Sequence, residues 1–291
     1  MKFHQPLFLR VLSGTAALLA ALILPSIAMA ETVLERIQGE GEIRLAYRTD
    51  AAPFSYMGES DAEPQGYSVE LCKAVATAVK QTLKLDALKT SWVKVTSEDR
   101  FQAITDGKAD LLCEATTATL DRRTLVDFSI ATFISGAGMM IQPGGPTSFE
   151  ALGGQKVGVL DGTTTEDDLK AFLAAGKIAA DIVTVKDHSE GFTQLESGAI
   201  VAYFADRTIL QFMLMQRANG KLMLADQFLS FEPYALALPQ NDSDFRLEVD
   251  RALSRLFRNG GGRAIFAKVF GKDAKPTGLQ SSLFVISGLP E

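Results

Sequence analysis

The sequence predicts an α/β fold built from two units, each a mostly parallel sheet with helices on both faces. Short apolar runs of strand length alternate with amphipathic stretches at helical spacing, the pattern of parallel strands joined by helices. The breaker Pro143-Gly144-Gly145-Pro146 divides this alternation into two series of about 100 residues, close to the ordinary size of a domain. A sizeable buried core is expected, because 47% of the 291 residues are apolar.

The elements of the first series follow from apolar periodicity. Residues 42–47 alternate as a strand, and Ser68 is predicted to cap a helix whose apolar positions Val69, Cys72 and Val75 recur at helical spacing. The remaining elements of this series are a strand at 92–95, a helix from Ser97 to Gly107 and a strand at 109–113.

The second series begins after the breaker. Its strands are predicted at 156–160, 182–185, 200–204 and 221–224, with helices at 166–173, 189–195 and 207–217 between them. Beyond it the sequence predicts an apolar strand at 234–238, a helix at 244–257 and a glycine turn at 260–262. The tail from Lys275 to Glu291 carries no clear signal.

Composition and charge exclude several classes of function. With 29 Lys and Arg against 35 Asp and Glu the net charge is −6, so the cationic field that nucleic acid requires is absent. Two histidines and two cysteines are too few for a zinc cluster, and no acidic run has the spacing of a calcium loop. We therefore expect no nucleic-acid partner, no metal site and no cofactor.

The first thirty residues have the features of a cleaved export signal. Lys2 and Arg10 precede an apolar stretch at 11–24, Pro25 breaks it, and 28–30 reads Ala-Met-Ala, a pattern that signal peptidases cut. The alternative is a membrane anchor, but the stretch is shorter than the roughly 20 residues that a spanning helix needs. Cleavage leaves 261 of the 291 residues and lowers the net charge from −6 to −8. Because no cysteine adjoins the cut, we expect a periplasmic protein that is not a lipoprotein.

Cys72 and Cys113 are an even pair in a chain expected to reach an oxidising compartment, where a disulfide is the default. Closing a loop of about 41 residues would stabilise the fold by roughly 4 kcal/mol. The alternative is two small buried apolar side chains. A catalytic role is not expected, because a nucleophilic cysteine needs a nearby base and no motif connects either cysteine to a histidine.

The polar residues that could bind a ligand follow strand ends. In open α/β sheets ligands bind beyond the carboxyl ends of the strands, where both series place arginines, hydroxyls or acids. Hydroxyls and N–H groups at helix starts bind anions, and guanidinium groups suit carboxylates, so the pattern predicts a small anionic or zwitterionic ligand. The residues concerned are Arg48, Ser97, Arg100, Thr116, Thr117, Arg122, the run 161–165, Asp187, His188 and Asp206.

Six short motifs lie in order along the chain. They are VTSEDR at 95–100, CEATTATLDR at 113–122, DFS at 127–129, GTT at 162–164, KDH at 186–188 and LESG at 195–198. With these motifs the sequence resembles the solute-binding proteins of polar amino-acid ABC importers over about residues 39–271. The positions of Arg48, Arg100 and His188 point to the branch that binds glutamate and aspartate.

The resemblance implies a role for each candidate ligand residue. Arg122 would bind the ligand α-carboxylate, and Asp206 would bind the α-ammonium. The other residues implied are Thr117 and Thr164 at the α-carboxylate, the Ala115 carbonyl at the α-ammonium, and Arg48, Ser97, Arg100, His188 and Thr163 at the side-chain carboxylate. From the residues alone, Asp206 is equally consistent with a helix N-cap and His188 with a capped surface residue.

The same resemblance implies the two-lobe fold of type II periplasmic binding proteins, with two hinge crossovers. The signal peptide would be 1–30, lobe one 31–141 plus 231–291, and lobe two 142–230. A monomer would close over an amino acid and present it to a membrane permease, without enzyme activity. Two alternatives stay open: an exported enzyme on the same fold, such as a dehydratase of cyclic acids, and a binder of a neutral polar amino acid.

Glu114 departs from the family pattern, which has a small residue at that position. A carboxylate pointing into the pocket would oppose an anionic ligand, and it would be the one candidate for a general acid. Arg122 and Asp206 would satisfy the zwitterion that all amino acids share, so Arg48 and Arg100 would have no partner unless the ligand side chain is anionic. On that premise we expect glutamate or aspartate to bind at least about tenfold tighter than its amide.

Overall fold

The computed structural model describes residues 1–2, 31–58, 62–217 and 220–291, so nearly all of the predicted signal peptide lies outside the described residues. Strands and helices alternate through Thr32–Glu291, which is one compact unit. The helices are α1 (Val33–Glu40), α2 (Tyr67–Thr82), α3 (Arg100–Thr105), α4 (Thr164–Ala175), α5 (His188–Glu196), α6 (Arg207–Arg217), α7 (Ser243–Arg258), α8 (Gly261–Phe270) and α9 (Gly278–Ile286). The strands are β1 (Glu42–Tyr47), β2 (Asp50–Ala51), β3 (Ser55–Tyr56), β4 (Lys89–Lys94), β5 (Leu111–Leu112), β6 (Asp127–Phe128), β7 (Phe133–Ser135), β8 (Ala137–Ile141), β9 (Lys156–Leu160), β10 (Asp181–Val185), β11 (Ala202–Asp206), β12 (Met223–Phe228), β13 (Glu232–Tyr234) and β14 (Ala237–Leu238).

The first sheet has the strand order β4-β1-β5-β14-β6. β1 lies parallel to β4 and β5, whereas β14 is antiparallel to both of its neighbours. Leu45 on β1 belongs to an apolar cluster with Val75 of α2, and the adjacent Ala46 belongs to a second cluster with Ile104 of α3. Successive side chains of a strand point to opposite faces, so both faces of this sheet are covered, as the sequence predicts.

The second sheet has the strand order β10-β9-β11-β8-β12. β9 lies parallel to β10 and β11, and β8 is antiparallel to β11 and β12. β8 is Ala137–Ile141, which the predicted lobe boundaries place in lobe one although its hydrogen-bonded partners all lie in the second sheet. The breaker at 143–146 therefore follows a strand of the second sheet rather than separating the two sheets.

Two segments of chain connect the sheets side by side. β7 leads into β8, β12 leads into β13, and β7 pairs antiparallel with β13. Gly136 lies where the segments touch, since a Cβ there would be 2.3 Å from the carbonyl oxygen of Ser230. A residue larger than glycine at this position would push the two crossover segments apart.

A disulfide joins Cys72 on α2 to Cys113, the residue after β5. The predicted pairing is confirmed, and the alternative of two separate buried side chains is wrong. The bond fixes α2, which packs on the first sheet, to the end of β5. The motif CEATT at 113–117 begins at this strand end.

Glycines begin two helices at places where the sequence predicts something else, a serine cap in one case and a turn in the other. α2 begins at Tyr67 with Gly66 at its N-cap, where a Cβ would clash with the Phe54 carbonyl oxygen at 2.3 Å. Ser68 lies inside the first turn, so the predicted cap at Ser68 is wrong. The glycines at 260–262 form a helix start: Gly260 has φ +78°, and α8 runs from Gly261.

Two further helices, α1 and α9, are not among the predicted elements. Thr32 and Glu35 form a reciprocal capping box that begins α1. In the tail, α9 contacts the crossover strand β7, where Gln280 accepts a hydrogen bond from the backbone N–H of Ile134 at 3.1 Å and donates one to the carbonyl of Thr132 at 3.2 Å. Among the described helices, none combines the length and apolar character needed to span a bilayer.

Candidate functional site

A cavity lies between the two sheets, at the ends of the strands where the sequence predicts the ligand. Its volume is about 20 Å³, room for roughly one water molecule. A larger ligand can therefore enter only if the two sides move apart. The lining residues are Arg48, Arg100, Ala115, Thr117 and Arg122 from one side and Leu160, Thr163, Thr164, Thr165, His188, Ala205, Asp206 and Ile209 from the other.

Strand ends and helix starts position these side chains. Arg48 directly follows β1, Arg100 is the first residue of α3, and Asp206 is the last residue of β11. Thr163 caps α4 by accepting a hydrogen bond from the N–H of Glu166 at 3.2 Å, and the threonines at this helix start, Thr163, Thr164 and Thr165, line the cavity. Asp187 caps α5 in the same way and sets His188 at the first helical position.

Arg48 and Arg100 are already paired with carboxylates. Arg48 binds Asp50 through two nitrogens, at 3.0 and 2.7 Å, and its Nη1 lies 3.6 Å from Glu114 Oε2. Arg100 Nε lies 3.3 Å from Glu114 Oε1. The premise that only an anionic ligand could pair with these arginines is therefore wrong, because Glu114 folds back against both guanidinium groups.

Glu114 is itself completely buried, with 0% of its side chain exposed. It accepts a short hydrogen bond from the Thr116 hydroxyl, and it is not among the residues that line the cavity. The carboxylate thus lies behind the arginines rather than in the ligand space.

The pKa values of Arg48 and Arg100 shift in opposite directions in this environment. Burial alone would lower the pKa of Arg48, but the Asp50 and Glu114 carboxylates outweigh it and raise the pKa. Burial lowers the pKa of Arg100 to about 10, with Arg122 and Arg48 adding to the effect against Glu114. Both side chains are cations at neutral pH. Arg100 also donates from Nη2 to the Gly162 carbonyl at 3.1 Å, a hydrogen bond that joins the two sides of the cavity.

Arg122 differs from these two arginines, since within the described residues no carboxylate lies within ion-pair distance of it. Its Nη1 donates to the Thr117 carbonyl at 2.9 Å, and its guanidinium carbon lies 5.2 Å from the centre of the Phe101 ring. Burial lowers its pKa, although not enough to remove the charge of a guanidinium group at neutral pH. The cavity therefore contains a cation without an anionic partner.

Asp206 is the corresponding acid on the other side. Burial, followed by the nearby Glu232 carboxylate, raises the pKa of Asp206 well above its ordinary value. An interaction with the Tyr234 hydroxyl opposes this rise, but Oδ1 of Asp206 is buried and meets the geometry of a hydrogen bond with no group among the described residues. A carboxylate oxygen in that position can accept a hydrogen bond from a ligand.

Glu232 is a site residue that the sequence analysis does not identify. It accepts hydrogen bonds from the hydroxyls of Thr117 at 2.5 Å and Thr164 at 3.1 Å, which belong to opposite sides of the cavity, and from Ser230 at 3.0 Å. Each threonine hydroxyl has a single proton, so neither can donate to a ligand carboxylate while Glu232 holds it. The only sequence signal is an acid directly ahead of the apolar run at 234–238.

His188 is buried, so the alternative of a capped surface residue is wrong. Its Nδ1 lies 2.9 Å from the Tyr203 hydroxyl, and its backbone N–H donates to Asp50 Oδ2 at 3.2 Å. Burial is the main cause that lowers the pKa of His188 to about 4, so the ring is neutral at pH 7. It can contribute a hydrogen bond but not a charge.

Nine of the ten predicted ligand residues line this one cavity: Arg48, Arg100, Ala115, Thr117, Arg122, Thr163, Thr164, His188 and Asp206. Ser97 does not; it is buried, and its carbonyl oxygen would lie 3.2 Å from a Cβ on Gly162. The hydroxyl of Thr163 donates to the Leu160 carbonyl at 2.7 Å, so this side chain holds its own turn. Their contacts with a ligand stay predictions. No cluster of metal-binding side chains occurs in the part of the chain that the structure describes.

Comparisons with known proteins agree with the predicted resemblance. The family model of bacterial extracellular solute-binding proteins, family 3, matches residues 43–272. An L-glutamate/L-aspartate-binding protein of Pseudomonas aeruginosa is 34% identical over 271 residues, covering 92% of this chain and 90% of the relative. The glutamate/glutamine/aspartate/asparagine-binding protein BztA of Rhodobacter capsulatus is 28% identical, covering 75% of this chain and 64% of the relative.

Solved structures give the same picture of the fold. An ancestral arginine-binding protein bound to glutamine has a TM-score of 0.71 and 26% identity, covering 79% of this chain and 98% of that one. The solute receptor for L-cysteine of Neisseria gonorrhoeae has a TM-score of 0.72 at 24% identity, covering 84% of this chain and 97% of that one. The predicted two-lobe fold of type II periplasmic binding proteins is confirmed.

Proposed function

Because the chain belongs to the bacterial extracellular solute-binding proteins, family 3, we propose that it captures a polar amino acid in the cavity between its sheets and delivers it to the permease of an ABC importer. One observation carries the ligand class. As far as the described residues show, the cavity presents an arginine without a carboxylate at ion-pair distance, Arg122, and a buried acid with an unused oxygen, Asp206. A zwitterion supplies the partner that each of them lacks.

Each end of the ligand has an assigned contact. Arg122 binds the α-carboxylate together with the first-turn amides of α4, and Asp206 binds the α-ammonium with help from the Ala115 carbonyl. Arg48, Arg100 and the neutral His188 surround the side chain as hydrogen-bond donors. Glutamate and aspartate lead the candidates, because the relative from Pseudomonas aeruginosa binds both.

Binding requires hinge motion at the two crossover segments. The cavity holds about one water molecule, so the sheets must separate before an amino acid enters and close again around it. We expect saturating ligand to lower the radius of gyration measured by small-angle scattering. Proven binding with an unchanged radius would exclude an open ligand-free form.

The protein acts outside the cytoplasm as a monomer. Residues 1–30 direct export and are then cleaved after Ala30, so the mature chain starts at Glu31 without a lipid anchor. Mass spectrometry of protein recovered from periplasmic extract tests the cleavage site, and sedimentation tests the monomer. A mass that retains residues 1–30 would contradict this part of the proposal.

Binding takes place without chemistry. The alternative of an enzyme needs a general acid or base at the ligand; the sequence candidate, Glu114, is fully buried against Arg48 and Arg100, and the acid that lines the cavity, Asp206, is assigned to the α-ammonium. Incubation with amino acids and cyclic carboxylic acids should return each compound unchanged by chromatography. Turnover that is lost in Glu114→Gln would favour the enzyme.

The central test is a thermal-shift screen of residues 31–291 against the twenty amino acids. A ligand at about 100 times its Kd adds about 2.7 kcal/mol to the free energy of unfolding, which raises the Tm by about 5 °C or more. Glutarate, which has both carboxylates of glutamate but no ammonium group, is the matched control and should give no shift. If no amino acid raises the Tm, the proposed function is wrong.

A further inference from the structure

Glu114 and Asp50 together cancel the charge of the side-chain end of the cavity. Arg48 and Arg100 carry two positive charges, and the carboxylates within 4 Å of them carry two negative charges. Among the cavity's arginines, only Arg122 lacks such a partner within the described residues. The end of the cavity that would read a ligand side chain therefore has arginine donors but no net positive charge.

This balance of charges determines how strongly the site prefers a ligand carboxylate to the corresponding amide. Both can accept hydrogen bonds from Arg48 and Arg100, because a carboxamide oxygen and a carboxylate oxygen are both acceptors. The carboxylate gains attraction from the guanidinium groups and loses part of it to repulsion from Glu114 on their far side. Glu114 is too deeply buried for solvent to screen that repulsion.

From this geometry we infer that Glu114 is the specificity-determining residue of the site, and that the substrate class is an amino acid with either a carboxylate or a carboxamide side chain. The inference rests on the proposed amino-acid-binding function. It replaces the expectation of a tenfold preference for the acid, which assumed that the two arginines have no partner. Glu114 acts through Arg48 and Arg100, as a positioning and charge-setting residue.

The test is calorimetry on the wild type and Glu114→Gln with glutamate, glutamine, aspartate and asparagine. Glutamine keeps the shape of the side chain and can still accept the Thr116 hydroxyl. For the better-bound acid and amide pair, we expect wild-type affinities within about tenfold of each other. In E114Q the acid-to-amide ratio should rise by about tenfold or more, through tighter binding of the acid.

Two further variants complete the experiment. Asp50→Asn removes the other carboxylate on Arg48 and should shift the ratio in the same direction, which keeps the test available if E114Q does not fold. Glu248→Gln is the matched control, because Glu248 is a buried glutamate that accepts the Thr82 hydroxyl at 2.7 Å, outside the cavity, and its ratio should equal that of the wild type.

The outcomes separate this inference from the proposed function. A wild-type preference of more than about tenfold for the acid, or a ratio that E114Q and D50N leave unchanged or lower, overturns the inference while amino-acid binding stands. If the wild type binds no amino acid at all, the proposed function and the inference fall together.

Discussion

The two ends of the cavity differ in how far the protein satisfies its own charges. At one end, Arg48 and Arg100 are paired with Asp50 and Glu114 at distances from 2.7 to 3.6 Å. At the other end, within the described residues, Arg122 has no carboxylate at ion-pair distance and Oδ1 of Asp206 is buried without a hydrogen bond. The first end is balanced without a ligand, whereas the second is completed by one. Affinity should therefore depend on the second end and selectivity on the first.

The largest expected effect is at Arg122. Replacing it with alanine leaves the ligand α-carboxylate without its cation in a closed site, which costs about 3–5 kcal/mol and weakens every amino acid by at least about 100-fold. Calorimetry with acidic and amide ligands measures this loss. Arg123→Ala is the matched control, because Arg123 is the exposed neighbour on the same turn and its loss should leave the Kd unchanged. If R122A still binds with near wild-type affinity, the unsatisfied end is not where affinity arises.

Asp206→Asn should have the next largest effect, with opposite signs on binding and stability. Losing the charged partner of the α-ammonium costs about 2–3 kcal/mol, or roughly 30- to 150-fold in Kd. The pKa of Asp206 is raised by burial and by Glu232, so the ionised group destabilises the folded state as the pH rises. Denaturation of D206N without ligand at pH 7 should therefore show a higher free energy of unfolding. A variant that is both weaker in binding and less stable would indicate a structural role instead.

Glu232→Gln tests the contact that spans the two sides. The carboxylate accepts from Thr117 and Thr164 together, and an amide keeps only one acceptor oxygen for these two hydroxyls. Replacing these charge-assisted hydrogen bonds by weaker neutral ones should weaken closure, and with it binding, by about 1.5 kcal/mol, or roughly tenfold, for acids and amides alike. A change confined to one ligand class would mean that Glu232 acts on the side chain rather than on closure.

His188 should have the smallest effect on binding, because its neutral ring contributes a hydrogen bond but no charge. Its pKa should instead make the stability of the protein depend on pH. The pKa of its ring is about 4 in the folded chain against about 6.5 when unfolded, so the unfolded state binds more protons between these values. Stability is therefore lost as the pH falls from about 6.5 towards 4, by an amount on the order of 3 kcal/mol. His188 is the only histidine after residue 30, so one NMR ring signal of untagged mature protein reports it directly. Titration near pH 6.5 would show an exposed ring.

Much of the fold could be predicted, because local periodicity and tertiary packing agree. Strands 42–47 and 156–160 and helix 207–217 have the predicted bounds. The assignment of β8 could not be made from its own residues, since an apolar run is equally suited to either sheet. Helix α9 could not be predicted for a related reason, because the contacts of Gln280 with β7 form only in the folded chain.

The candidate site, too, could be predicted from the sequence only in part. Strand-end position brings nine predicted residues to one cavity, because parallel strands deliver their carboxyl ends to one edge. The direction in which Glu114 points depends on the surrounding arginines, which no spacing encodes. Glu232 lies far along the chain from Thr117, and its strand reaches the site through the pairing of β13 with β7 and through a backbone bridge between Tyr234 and Thr117.

The position of β14 has a consequence for the order in which the molecule folds. β14 lies between β5 and β6 in the first sheet, although residues 237–238 form it late in the chain. The second sheet is complete once residue 228 of β12 is available, and the bond between Cys72 and Cys113 needs nothing beyond residue 113. When the chain emerges from its amino end, the second sheet can therefore be completed before the first sheet. Translation stopped before residue 237 would leave β6 unattached to the sheet that carries Arg48.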